Sequence, residues 1–182
     1  MRPSAIPRDR LLKELSGTSI LRDLAPREIK RFATICDLRE YENGERLVEQ
    51  DSVGTDLHII IEGQADIVLR GREGSEATVN TIKKGDVLGE AAIFMDLPRT
   101  ASAAARGPCV VAAVPRDRLF AFCDKNPKAG LKIFTVVIYS LLRRLGATNR
   151  ELMAERESVV TSADLDRLRS TFPKSLEDML EG

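Results

Sequence analysis

The sequence predicts an α+β fold, in which an antiparallel β unit of about eight short strands lies between N-terminal helices and a long C-terminal helix. Apolar residues have helical spacing before residue 34. Short β-branched stretches alternate with turn residues from residue 35 to residue 115, and helical spacing then returns. A chain of 182 residues is long enough to bury the core of one such domain.

Two short helices are predicted at the N-terminus. Leu11 and Leu15 lie one helical turn apart, and Ser16 with Gly17 interrupts the first helix. Pro26 suits the first turn of the second helix, because the N–H that proline lacks would have no helical partner there.

Strands are predicted where β-branched stretches lie between turn residues. The turns recur about every 8 to 12 positions, which is typical of a sandwich, a roll or a barrel. Glu62 and Gly63, between two such stretches, are typical of a tight hairpin. The predicted strands include residues 57–61, 65–69, 77–82 and 110–114.

The pattern after Val114 is helical again. A short helix over residues 116–124 precedes a longer one that Asn126 and Pro127 open and that runs to about residue 157. The apolar face of this helix is broader than contact with one small domain requires. We therefore expect part of this face to form the interface of a homodimer. The apolar positions of the expected interface are Phe134, Val137, Ile138, Leu141 and Leu145.

These patterns divide the chain into four segments. They are residues 1–34 (N-terminal helices), 35–115 (β unit), 116–160 (a hinge helix and the long helix) and 161–182 (a short amphipathic tail).

Composition disfavours several classes of protein. The 28 basic and 28 acidic side chains balance, so no overall positive field attracts nucleic acid or an anionic membrane. We find no apolar run long enough for a membrane span and no signal peptide. Three widely spaced cysteines fit neither a disulfide framework nor a zinc site, which favours a reducing, cytoplasmic location. The single histidine, His58, is expected to be a strand residue rather than a ligand or general base.

The stretch GEAAIFMDLPRTAS combines features that suit a nucleotide. Gly89 lets the backbone turn sharply and lets a ligand approach, and Glu90 is suited to accept a hydrogen bond from a ribose hydroxyl. A short helical turn here would present N–H groups that Ala91 and Ala92 leave uncovered. Arg99 can present a planar fork of donors to a phosphate.

This stretch resembles the phosphate-binding cassette of cyclic nucleotide-binding domains, whose pattern is Gly-Glu, small residues and then Pro-Arg-(Thr/Ser/Ala)-Ala. The matched positions are Gly89, Glu90, Ala91, Ala92, Pro98, Arg99, Thr100 and Ala101. The resemblance covers about residues 20–150 and includes LHIIIEGQADIV, which is similar to the central hairpin of the family with Gly63 at its turn. It implies that the β unit is a jelly-roll-like β-roll.

The resemblance also implies a ligand, cAMP or cGMP, and a role for each cassette residue. Glu90 would accept a hydrogen bond from the ribose 2′-hydroxyl, and Arg99 would pair with the cyclic phosphate. Backbone N–H groups, of Ala91 or Ala92 and of Thr100, would assist. The implied ligand-binding residues are Leu88, Gly89, Glu90, Ala91, Ala92, Arg99 and Thr100, with no catalytic residue, no metal ligand and no cofactor besides the nucleotide.

The long helix resembles the dimer helix of the bacterial catabolite activator branch of this family, which implies that Thr148 and Asn149 contact the purine, Asn149 across the dimer. A helix-turn-helix domain follows that helix in the branch, and the 25 residues from 158 to 182 are too few for one, so we expect no sequence-specific DNA binding. Asp51 and Ser52 stand where the family often has Gly-Asp or Gly-Glu, in a loop that we expect to lie away from the cassette.

Two functions follow from these patterns. The first is a regulatory module that binds a cyclic nucleotide and rearranges its C-terminal helices, with an unidentified protein as a possible effector. The alternative is a dimeric scaffold that has a degenerate pocket and acts without ligand. An enzyme is disfavoured because the sequence offers no metal cluster and no nucleophile–base pair. A redox or haem sensor built on Cys36, Cys109 or His58 is disfavoured further.

Overall fold

The computed structural model describes residues 2–159 except residues 5, 72, 73 and 96, so the predicted tail over 161–182 lies outside the described residues. The chain divides into two compact units, residues 1–138 and residues 139–182. The α-helices of the described residues are α1 (Arg8–Ser16), α2 (Pro26–Phe32), α3 (Ala91–Phe94), α4 (Arg116–Lys125) and α5 (Pro127–Val159), and a 3₁₀ helix over Ala33–Ile35 follows α2. The strands are β1 (Arg2–Pro3), β2 (Asp37–Tyr41), β3 (Arg46–Val48), β4 (Leu57–Glu62), β5 (Gln64–Arg70), β6 (Glu76–Lys83), β7 (Val87–Leu88), β8 (Ser102–Ala105) and β9 (Cys109–Val114).

The strands form two antiparallel sheets, ordered β1-β2-β9-β4-β7 and β3-β8-β5-β6. In the first sheet, β2 pairs with β9 from Asp37 opposite Ala113 to Tyr41 opposite Cys109, so the first long strand and the last strand are neighbours. The β-roll class that the sequence predicts is confirmed, with helices before and after the roll in the chain.

The interior of the roll is apolar. Each fully buried aliphatic side chain in such a core contributes about 1.5 to 3 kcal/mol relative to leaving it in water. The buried residues of this core are Tyr41, Leu47, Ile60, Ala65, Ile82, Leu88, Ala103, Ala105, Cys109 and Val111.

Strand β4 is buried over all five residues from 57 to 61, because both of its faces are covered. Ile60 belongs to the core of the roll. Side chains alternate along a strand, so Ile59 faces the side opposite to Ile60, and α1 also contacts β4. By the same alternation His58 faces the interior, two residues from Ile60. The predicted strand position of His58 is confirmed.

The helices begin where the sequence predicts. Pro26 is the first residue of α2, and the Glu28 carboxylate accepts a hydrogen bond from the Ala25 N–H at 2.7 Å. The rings of Phe32 on α2 and Phe122 on α4 meet edge to face with centroids 5.5 Å apart. No helix among the described residues is both long enough and apolar enough to cross a bilayer.

The hairpin predicted at Glu62 and Gly63 is wrong. Strand β4 pairs with β7 and β9, whereas β5 pairs with β6 and β8, so the two consecutive strands belong to different sheets. Gly63 has a φ of +78°, and the carbonyl oxygen of Pro108 occupies the place of its missing Cβ. A bend of one residue carries the chain from one sheet to the other. The local pattern shows where the chain turns but not which strands pair.

Part of the predicted dimer face is also wrong. Val137 is 1% exposed within a single chain, so it packs inside the protomer together with Ile133. Helix α5 is apolar around much of its circumference in this region, and spacing alone does not identify the face that the protomer itself covers. Its exposed apolar side chains are Leu131, Ile138, Tyr139, Leu142, Leu145 and Met153.

Replacement of Gly63 by alanine tests the bend between the sheets. Gly107→Ala is a matched control, since Gly107 has a φ of +76° but no atom within 4 Å of the added Cβ. We expect the control to lower the free energy of unfolding by about 1 to 2 kcal/mol through backbone strain alone. Gly63→Ala should cost about 1 to 3 kcal/mol more, because the Cβ overlaps the Pro108 carbonyl. Urea denaturation measures both, and equal losses would contradict this account.

Candidate functional site

The predicted cassette connects β7 to β8 and contains α3. Strand β7 ends at Leu88, and Gly89, with a φ of +82°, turns the chain away from the sheet. Glu90 is the N-cap residue of α3 and is 3% exposed. The chain then returns through Arg99 to the start of β8 at Ser102. A left-handed φ at the end of a buried strand requires glycine at the first position of the cassette.

The guanidinium of Arg99 lies in a narrow space between two glycines. Its Nη2 donates a hydrogen bond to the backbone carbonyl of Asp56 at 2.8 Å. A Cβ on Gly54 would stand 3.3 Å from Nη2, and a Cβ on Gly89 would overlap Nη1. The side chain of any other residue at position 89 would therefore fill the space that the guanidinium occupies. Gly54 and Asp56 were not identified from the sequence, because they lie more than 40 positions before Arg99.

Arg99 is a buried cation. It is 8% exposed, and burial lowers the pKa of its guanidinium, an effect that the Asp56 carboxylate opposes. That carboxylate is itself paired with Arg39, at 3.0 Å between Nη2 and Oδ2. No ion pair to Arg99 is found among the residues that the structure describes. Since a guanidinium keeps its proton in a protein, the site holds a desolvated positive charge that a bound anion would stabilise.

The loop that carries Asp51 and Ser52 lies against the cassette, so the expectation that it lies away is wrong. The Asp51 N–H donates to the Arg99 carbonyl at 2.8 Å, and the Arg99 N–H donates to the Ser52 carbonyl at 2.9 Å. Asp51 has a φ of +65°, and its carboxylate pairs with Arg70 at 3.1 Å. The departure from the glycine of the family therefore falls on the main chain that holds Arg99, where an aspartate tolerates the left-handed conformation.

The other predicted cassette residues differ in what they can offer. The Ala92 N–H donates to the Gly89 carbonyl at 3.1 Å, which favours Ala91 over Ala92 as the donor to a ligand. Ala91 and Thr100 are exposed. Leu88 is 5% exposed and belongs to the core of the roll.

Thr148 and Asn149 are exposed residues of α5 and belong to the second compact unit. Their predicted contact with a purine is not tested by the structure and stays a prediction.

The thiols offer little chemistry. Burial raises the pKa of Cys36 to about 12, helped by Asp37, and burial raises that of Cys109 to about 11. Both are therefore protonated at neutral pH, and a protonated thiol is a poor nucleophile. Within the described part of the chain, no group of three or more His, Cys, Asp or Glu side chains is placed to hold a metal ion.

Comparison with known proteins agrees with this geometry. The family model "Cyclic nucleotide-binding domain" matches residues 38–126. The chain is 34% identical over 95 residues to a cAMP-dependent protein kinase regulatory subunit of Mycosarcoma maydis, a match covering 52% of this chain and 18% of the relative. A subunit of the same name from Mucor circinelloides f. lusitanicus is 34% identical over 93 residues, covering 51% and 22%. The chain thus spans less than a quarter of these relatives.

Solved structures share the fold. A cyclic nucleotide-binding domain from Methylobacillus flagellatus aligns with a TM-score of 0.70 at 19% identity, covering 81% of this chain and 83% of the other. The catabolite activator protein of Thermus thermophilus aligns with a TM-score of 0.69 at 23% identity, covering 76% and 63%. The family match, the curated relatives and the shared fold lead to one conclusion: residues 38–126 of this chain form a domain of the cyclic nucleotide-binding family, a regulatory family.

Proposed function

We propose that this chain is a receptor for a cyclic nucleotide, which binds at the cassette and changes the packing of helix α5. The observation that carries the proposal is Arg99, a buried guanidinium without an ion pair among the described residues, held between Gly54 and Gly89. A singly charged cyclic phosphate would supply the missing countercharge. A planar guanidinium suits two phosphate oxygens at once, which adds geometric selectivity.

Glu90 would distinguish a nucleotide from other phosphates. It is fixed at the start of α3, next to Gly89, and a carboxylate there can accept a hydrogen bond from a ribose 2′-hydroxyl. The Ala91 N–H would assist Arg99 at the phosphate. The curated relatives are named as cAMP-dependent, so cAMP is the first ligand to test and cGMP the second. No catalytic step is proposed, because the cassette residues are suited to bind a phosphate and the thiols of Cys36 and Cys109 are protonated and poorly nucleophilic.

The route from the cassette to the long helix runs through three phenylalanines of the first unit. The ring of Phe94, on α3, lies 5.6 Å from that of Phe134, on α5. Phe134 also contacts Phe120 of α4, with centroids 5.8 Å apart. Closure of the cassette on a ligand would therefore move a ring that packs directly on α5. A ligand can drive this change only by the difference between its affinities for the two arrangements.

The exposed apolar face of α5 supports the proposed homodimer. Leu131, Ile138, Leu142 and Leu145 are each at least 51% exposed. With Thr135 between the first two, the spacings alternate between four and three residues, which is the a/d pattern of a two-stranded coiled coil. We call this row of a and d positions the seam. Asn149 follows Leu145 by four residues and falls on an a position of the seam, where an asparagine can set the register of the two paired helices. A contact of Asn149 with ligand across the dimer would use the same seam.

A scaffold that acts without ligand remains the second candidate, because the exposed face of α5 does not depend on the cassette. A protein effector and a cytoplasmic location are part of the proposal.

Substitution of Arg99 tests the receptor function. Calorimetry with purified protein should show cAMP or cGMP binding at micromolar affinity or better. Arg99→Ala should weaken binding by about two to three orders of magnitude, because the phosphate loses the buried countercharge of the guanidinium. Arg106→Ala is the control: unlike Arg99, Arg106 pairs with a carboxylate, that of Asp66, and it follows β8, whereas Arg99 precedes that strand. An absence of heat at millimolar nucleotide would reject the receptor and favour the scaffold.

Glu90→Gln should cost less than Arg99→Ala, about tenfold, because the amide oxygen still accepts a hydrogen bond from a neutral hydroxyl. With 2′-deoxy-cAMP the loss from Glu90→Gln should nearly disappear, while the loss from Arg99→Ala should persist. The same loss with both ligands would show that Glu90 does not contact the ribose hydroxyl.

Replacement of Phe94 tests the coupling. In the wild type, ligand should slow amide hydrogen exchange over residues 127–138. Phe94→Ala should abolish much of that protection while affinity stays within about tenfold, because the lost ring contact is worth about 0.5 to 1.5 kcal/mol. Met95→Ala, at a neighbouring side chain that is 54% exposed, is the control and should behave like the wild type. If ligand still slowed exchange fully in Phe94→Ala, the coupling between the cassette and α5 would not run through this ring.

The double variant Leu142→Glu/Leu145→Glu tests the dimer. Light scattering should give a dimer for the wild type at tens of micromolar protein and a monomer for this variant, because four buried carboxylates would meet at the seam. Arg143→Glu, at an exposed position off the seam, controls for added negative charge and should stay dimeric. A monomeric wild type would contradict the proposal. Val137 is unsuitable for this test, since its replacement by glutamate would disrupt the core of the protomer.

A further inference from the structure

His58 is a buried polar side chain without a hydrogen-bond partner. It is 2% exposed, and neither ring nitrogen is bonded to any residue that the structure describes. A neutral imidazole carries one donor and one acceptor, and leaving them unsatisfied in an apolar interior costs free energy. Such a group in a native structure requires an explanation. It lies on β4, two residues after Asp56, at the end of the strand where Arg99 lies.

Three charged side chains act on the ring. They are Arg99 from the cassette, Arg39 from β2 and Asp56 from the segment before β4. The flanking strands β7 and β9 place Leu88 and Ala113 opposite His58, and neither carries a charge. Burial first, and then the positive charge of Arg99, lower the pKa of His58 to about 4, while Asp56 opposes the shift. The ring is therefore neutral at physiological pH, and it is sensitive to the charge state around Arg99.

The backbone carbonyl of Asp56 is the acceptor that both side chains can use. In this structure it accepts a hydrogen bond from Nη2 of Arg99 at 2.8 Å. His58 lies two residues after Asp56 in the chain, and an interaction with the Asp56 backbone favours the protonated ring and raises its pKa, while neither ring nitrogen has a hydrogen-bond partner among the described residues. The Asp56 carboxylate is meanwhile held by Arg39, so the residue that presents this carbonyl is fixed in place.

We propose that His58 is a positioning residue for phosphate binding: when the Arg99 guanidinium turns from the Asp56 carbonyl to an anionic ligand, the imidazole N–H replaces it as the donor to that carbonyl. The exchange needs no net proton transfer, because the neutral ring already has one N–H. It satisfies the two groups that the bound state would otherwise leave unpaired, the carbonyl and the ring. The inference rests on the proposed function, since it requires an anion at Arg99.

A dependence on pH follows from the same arrangement. An anion at Arg99 reduces the repulsion that the guanidinium exerts on a protonated ring, so the pKa of His58 should rise when ligand binds. Reciprocity then requires that affinity increases as the pH falls toward the free-state pKa, by less than tenfold per pH unit. Above about pH 7 the ring is neutral in both states, and affinity should not depend on it.

The chain has one histidine, so ¹⁵N labelling of histidine gives a single pair of ring nitrogens. We would titrate the full chain between about pH 3 and pH 7.5, free and saturated with cAMP, or with cGMP if calorimetry shows that only cGMP binds. With ligand, the N–H should become protected from solvent exchange, one tautomer should dominate, and the pKa should rise by about half a unit or more. Binding with unchanged ring shifts, exchange and pKa would overturn the inference and leave the receptor standing. Absence of binding would overturn both.

Variants give an independent test. His58→Leu should weaken binding about two- to tenfold, because the Asp56 carbonyl then lacks a donor in the bound state. His58→Gln retains an N–H donor and should recover much of the loss, without the pH dependence. In an Arg99→Ala background, where no exchange occurs, His58→Leu should change affinity little. Additive losses in the double variant would overturn the exchange, and the spectra of the wild type decide the question if the leucine variant does not fold.

Discussion

The hydrogen bond from Arg99 to the Asp56 carbonyl is the constraint around which the site is organised. It requires glycine at position 89, where a Cβ would overlap the guanidinium, and it leaves little room for a side chain at position 54, where a Cβ would stand 3.3 Å from Nη2. It also brings together parts of the chain that are distant in sequence: the segment before β4, the end of β7 and the loop of Asp51, which binds the main chain of Arg99. The sheets thus hold these segments in place, so that the Asp56 carbonyl, the two glycines and the Arg99 guanidinium lie next to each other.

Helix α5 has two roles that use different faces. Ile133 and Val137 are buried and complete the core of the protomer, and Phe134 meets the ring of Phe94 from the cassette. The face of Leu131, Ile138, Leu142 and Leu145 is left exposed. The residues of α5 that pack inside the first unit therefore lie on a different face of the helix from its exposed apolar side chains.

The sequence was informative where the determinants are local. The cassette could be proposed as a site because its residues are contiguous, and α2 could be placed because Pro26 and Glu28 act within one turn. It was misleading where structure depends on distant partners. The bend at Gly63 resembles a hairpin until β9 is known to pair with β4. The contact of Asp51 with Arg99 joins residues 48 positions apart, and the choice between Val137 and Leu142 as the exposed side chain depends on what packs on α5. The surroundings of His58 were hidden for the same reason.

Strands β2 and β9, the first long strand and the last strand of the roll, are neighbours from Asp37 and Ala113 to Tyr41 and Cys109. The polypeptide therefore enters and leaves the roll side by side, and the helices that precede and follow it meet through Phe32 and Phe122. A domain whose two ends are adjacent can be inserted into a longer protein without forcing the host segments apart. This closure gives a physical reason why the same roll can make up about a fifth of a kinase regulatory subunit and yet account for half of this chain.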